Sequence, residues 1–151
     1  MSDRTDMRVW VYDCPPAERA AALAALDGLT TEFMTGQPED ELDLDEPYYT
    51  SEALPGESAD IAGALSTAAP GASFLVREYS TCGNPALLCA RTPALGLFSG
   101  ECDTAGQVVL DRDALHGLAR GHAGLLLAAA DLATGGPWLE DFAAHGPGSR
   151  S

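Results

Sequence analysis

Ser73-Phe74-Leu75-Val76-Arg77-Glu78-Tyr79 decides the fold class. The run is rich in residues that favour extended backbone, and at Ala72 the hydrophobic period changes from helical to two. It predicts a strand over 73–79. Toward the C-terminus the same pattern recurs at 86–91, 95–99 and 107–110. These segments are divided by Cys82-Gly83-Asn84-Pro85, Arg91-Thr92-Pro93 and Asp103-Thr104-Ala105-Gly106, all rich in turn formers. Short turns between successive strands predict an antiparallel meander.

Toward the N-terminus, Pro70-Gly71 closes a helix predicted over 58–69. Ser58 is its expected cap, Glu57 and Asp60 suit its positive end, and Ile61, Leu65 and Ala68 share a face. Met7-Arg8-Val9-Trp10-Val11-Tyr12-Asp13 is a first strand. Pro15-Pro16 and Gly28 bracket a helix over 16–27, with Ala20, Leu23, Ala24 and Leu26 as inward positions. A short extended piece is expected over 30–34. A last helix is expected from Asp111, its apolar stripe formed by Leu115, Leu118, Leu125, Leu126, Ala129 and Leu132, with one further turn over 137–144. The fold class expected is α+β: a mainly antiparallel sheet with two or three helices packed on one face. A single domain covers 1–145, and 146–151, Gly-Pro-Gly-Ser-Arg-Ser, is a disordered tail.

The 151 residues carry 8 basic and 23 acidic side chains, a formal net charge of −15. All eight cations are Arg. Phosphates repel such a surface, so neither nucleic acid nor an anionic membrane is expected as a direct partner. With no Lys, Schiff-base and P-loop lysine chemistry is excluded, and no Gly-x-Gly-x-x-Gly or Gly-x-Ser-x-Gly pattern is present. No apolar run reaches the ~20 residues of a membrane span, and the first residues do not resemble a secretion signal. A cytoplasmic protein with reduced thiols is expected.

The charge is uneven. Between Arg19 and Arg77 there are eleven acids and no base. Within that stretch Glu39-Asp40-Glu41-Leu42-Asp43-Leu44-Asp45-Glu46 precedes Pro47-Tyr48-Tyr49. Acids at 41, 43 and 45 alternate with Leu42 and Leu44, which predicts Leu inward and carboxylates outward in an extended segment, as an edge strand or a loop. Glu41, Asp43, Asp45, Glu46, Tyr48 and Tyr49 are the candidate binding residues. Carboxylates beside aromatics suit an Arg-rich protein surface, such as that of a nucleic-acid-binding protein or a toxin. The alternative for the same run is a solvated, solubilising face.

True imitation of DNA would need more charge. B-DNA carries one charge per ~1.7 Å, hence about 23 over the roughly 40 Å span of a domain this size. The eleven acids of the lobe supply about half of that, and a dimer would approach it.

Asp43, Asp45 and Glu46 are hard oxygen donors, but no calcium-loop spacing surrounds them. Cys14, Cys82, Cys89 and Cys102 form no Cys-x-x-Cys. No metal, cofactor or catalytic residue is therefore named. Cys89 is expected to pack as a small hydrophobe, while Cys82 and Cys102, beside turns, are expected at the surface. Arg112, His116 and Arg120 are four apart on the last helix. They mark the rival reading: a small-ligand binder or enzyme with its site where that helix face meets the sheet.

Overall fold

In the computed structural model, the residues described are 4–27, 41–44, 46–81, 84–110, 112–113, 116, 120 and 131–145. Strand β1 (Thr5–Asp13) leads through a 3-10 turn (Pro16–Glu18) into helix α1 (Arg19–Asp27). Strand β2 (Tyr48–Ala53), helix α2 (Glu57–Ala68) and strands β3 (Ser73–Glu78), β4 (Ala86–Thr92) and β5 (Gly96–Cys102) follow, and helix α3 (Gly136–His145) comes last. The five strands form one sheet in the order β2-β1-β3-β4-β5, every pair antiparallel. The fold is α+β, and β3-β4-β5 is the expected meander.

The period-two residues place the core. Met7, Val9 and Val11 of β1 and Phe74, Val76 and Glu78 of β3 are buried on one face. Ala22 and Leu26 of α1 and Ile61, Ala62 and Leu65 of α2 close over that face. The two helices thus share one side of the sheet, as the order of elements predicts. The opposite face is covered as well. Trp138 and Phe142 of α3 pack with Ala90, Tyr12, Leu75 and Phe98, and Trp138 Nε1 donates to Gly96 O at 3.0 Å.

Several local expectations change. On α1, Ala20 and Ala24, expected inward, are exposed, and Ala22 is buried instead. The segment predicted as a strand over 107–110 forms only a bridge, Cys102 to Val108, because Asp103 Oδ1 accepts the N–H groups of Ala105 and Gln107 at 2.9 Å and bends the chain there. Ser58 does not cap α2. The residue before the helix is Gly56, at φ +90, and the N–H groups of Gly56 and Ser58 donate to the Glu78 carboxylate at 2.7 and 3.2 Å. Leu132, placed in an apolar stripe, is exposed. Arg112, Asp113, His116, Arg120 and residues 131–133 are helical. The extended piece over 30–34, the remaining stripe positions of the last helix and the tail over 146–151 lie outside the described residues.

Candidate functional site

The described residues of the segment, 41–44 and 46, are not in a strand. The alternation still sorts the side chains: Leu42 is buried and Leu44 packs against the same core, while Glu41 and Glu46 are exposed. Asp43 Oδ1 accepts the Glu46 N–H at 3.2 Å, a turn that presents the segment beside the edge strand β2. Asp45 lies outside the described residues.

The two tyrosines separate. Tyr48 is 4% exposed and belongs to the core, so the expectation that it offers a docking ring at the surface is corrected. Its position explains this, since it continues the inward parity of Leu42 and Leu44 and precedes buried Thr50 by two. The Asp43 N–H donates to the Tyr48 hydroxyl at 2.8 Å, tying the acidic segment to the core. Burial pushes the Tyr48 phenol above its ordinary value; that donated N–H pulls it back, and the Asp43 and Asp27 carboxylates add to the rise. Tyr49 points to the other face, paired across β1 with Arg8, whose Cζ stands 5.5 Å from its ring centroid.

The arginines are used in a consistent way. Arg8 also faces the Tyr79 ring at 5.7 Å, and Arg77 stacks on that ring at 4.5 Å. Tyr49, Arg8, Tyr79 and Arg77 therefore form a run of alternating rings and guanidinium groups across the sheet. Arg19 donates to Cys14 O, and Arg91 to the carbonyls of Pro70 and Ala72. Arg4 pairs with Glu52 at 3.8 Å.

The residues of the rival site do not converge. Arg112, His116 and Arg120 are each exposed, and Arg120 Nε donates to the His116 carbonyl at 3.3 Å. A cavity of about 420 Å³ lies elsewhere, over the α3-covered face of the sheet. Trp10, Leu75, Arg77 and Leu88 form its floor, and its walls include Gly106, Gln107 and Val108 on one side and Thr134 and Leu139 on the other. None of Arg112, His116 and Arg120 is among its described lining residues. Arg77 was not singled out from the sequence, although period two on β3 puts it with Leu75 on the face opposite Phe74 and Val76.

The described cysteines are inward, and Cys82 lies outside the described residues. Cys14, Cys89 and Cys102 are free and buried, so the expectation of a surface Cys102 is corrected: at 6% exposure it ends β5 under Val108. Burial pushes the Cys89 thiol up to about 11, and the nearby Glu78 carboxylate adds to the rise. Burial likewise raises the thiols of Cys14 and Cys102. Thiols held protonated are poor nucleophiles and poor ligands. Among the described residues no group of three His, Cys, Asp or Glu is placed to hold a metal ion, and no helix is long and apolar enough to cross a membrane. No family model matches the chain, and no curated protein or solved structure does either.

Proposed function

We propose that the chain is a small protein-interaction domain that docks a basic protein surface through the carboxylate-bearing segment 41–46 beside β2. The observation that carries the reading is how the protein spends its own cations. Arg8, Arg19, Arg77 and Arg91 face rings and backbone carbonyls, while Glu41, Glu46 and Asp60 are exposed to water. The negative potential of a chain with net charge −15 is thus left to act outward. Such a field speeds encounter with a cationic partner and selects against anionic ones, while affinity comes from the groups buried at contact. Tyr49, half-buried at the sheet edge, is the aromatic of the candidate set that keeps a surface position. The reading takes the protein to act in the cytoplasm, on a nucleic-acid-binding protein or a toxin of basic surface.

Capture from native lysate at low and high salt, with the wild type beside a variant carrying Glu41→Gln, Asp43→Asn, Asp45→Asn and Glu46→Gln, tests this reading. Asn at 43 keeps an acceptor for the Glu46 N–H, so the turn is preserved. Basic proteins retained by the wild type, released by salt and lost from the variant are expected, with association slowed about tenfold or more at low salt. A captured set indifferent to both salt and neutralisation would overturn it.

A further inference from the structure

We infer that the cavity between the sheet and α3 is a second binding site, for a small organic anion with a planar apolar body. Its volume, about 420 Å³, falls in the range of ligand pockets. The floor comes from three adjacent strands: Trp10 is registered with Leu75, and Arg77 with Leu88. Trp10, Leu75, Leu88, Val108 and Leu139 give the open cavity an apolar lining, and no carboxylate is among the described lining residues. In a molecule of net charge −15, this cavity carries a cation on its floor.

The Arg77 guanidinium is held in place before any ligand arrives. The Tyr79 ring lies 4.5 Å from its Cζ, and Nη2 donates to Thr104 O at 3.3 Å. Gly106, at φ +83, presses so close that a Cβ there would fall 2.5 Å from Cζ. A side chain at 106 is therefore strained by the backbone conformation and would push the guanidinium aside. Despite this support, Arg77 Nε is buried and has no hydrogen-bond partner. A buried donor left unmade is costly, and more so on a charged group. Nε itself is closed to solvent, so a carboxylate in the cavity, the partner a guanidinium prefers, meets Arg77 as a fixed positive charge at the lining. The apolar lining, the Trp10 indole included, then favours a flat hydrocarbon body.

The probes are 2-naphthoate and its neutral isostere 2-naphthamide, titrated by calorimetry and by chemical-shift changes. Naphthoate is expected to bind saturably with Kd of about 1 mM or tighter, and naphthamide about tenfold more weakly. Arg77→Gln is expected to abolish that preference. Because Arg77 also supports the turn at 103–106, Leu139→Glu supplies a second variant. Leu139 is 51% exposed, so the fold tolerates the change. The carboxylate it adds at the cavity wall is expected to weaken naphthoate about tenfold and to leave naphthamide within about twofold. Equal affinity for the two probes, binding of neither, or shifts that map away from Trp10 and Leu75 would each overturn the inference. None of the described carboxylates of 41–46 is among the lining residues of this cavity, so the outcome is independent of the docking test.

Discussion

Glu78 Oε1 accepts the Gly56 N–H at 2.7 Å, so a carboxylate on β3 closes the start of a helix that begins 21 residues earlier in the chain. Its second oxygen accepts the Ser58 N–H, and the side chain is 1% exposed. The first N–H groups of a helix have no partner within it and carry its positive end. Here they are met by a full negative charge from the sheet, which pins α2 to β3 through the core. The Ser58 hydroxyl, the expected cap, is instead buried beside the Cys89 thiol and takes no part in the helix start. Glu78→Gln turns an amide hydrogen toward one of these donors and is expected to cost about 2–4 kcal/mol. Ser58→Ala, which leaves both bonds to Glu78 in place, is expected to cost less than about 1 kcal/mol. Urea unfolding followed by circular dichroism measures both, and a Ser58→Ala loss as large as that of Glu78→Gln would return the cap to Ser58.

Cys89 makes stability fall on the alkaline side. Its thiol is raised from an ordinary value of 9.0 to about 11, burial being the main cause. The folded chain therefore keeps a proton that the unfolded chain releases, so between pH 9 and 11 unfolding sheds a proton. The contribution is fully present below pH 9 and is lost as pH rises through about 11. Cys89→Ala is expected to lower stability at pH 7 through the cavity it leaves, and to flatten the decline between pH 9 and 11. Denaturation midpoints at pH 7, 9 and 10.5 check this; parallel curves for the two proteins would reject it.

Local pattern carried most of this fold. The change to period two at Ala72 located β3, and Pro16 with Gly28 bounded the turn and helix that end at Asp27. Sequence reasoning did not extract β2. Its Tyr-Tyr-Thr-Ser-Glu-Ala follows a run of acids that dominates the eye, and its partners on β1 lie about forty or more residues away. The inward parity shared by Leu42, Leu44, Tyr48 and Thr50 was available as a signal and would have removed Tyr48 from the surface set. The Glu78 cap and the clasp of Gly106 on Arg77 had no local signal, since each joins segments twenty or more residues apart. Charge position was legible along the chain, but how the arginines are spent appeared only with the strands in register.

Tyr48→Phe isolates the tie between the acidic segment and the core. It deletes the acceptor of the Asp43 N–H and keeps the ring. The expected cost is about 1 kcal/mol, with the loss concentrated on that segment because the ring still fills its place. Amide exchange at Asp43 should accelerate by about fivefold while Val9, buried beside it in the sheet, stays near wild type. Uniform acceleration at both positions would mean that the hydroxyl serves the whole core rather than the turn.

The attachment of α3 yields the sharpest separation between the two faces of the sheet. Phe142 stacks on Tyr12 at a centroid distance of 4.8 Å, and Trp138 meets Phe98 at 5.1 Å. Both helix residues belong to a cluster on the opposite side from Met7, Val9 and Val76. Phe142→Ala is expected to cost about 3 kcal/mol. Most of that should appear as local opening of α3, because the cluster it leaves is small and the core under α1 and α2 remains complete. Amides of α3 should lose protection well before those of Val9 and Val76. Leu139 rides on the same helix and walls the cavity, so naphthoate affinity should fall with it. Loss of protection in step on both faces would show instead that α3 is welded into a single cooperative unit with the rest of the sheet.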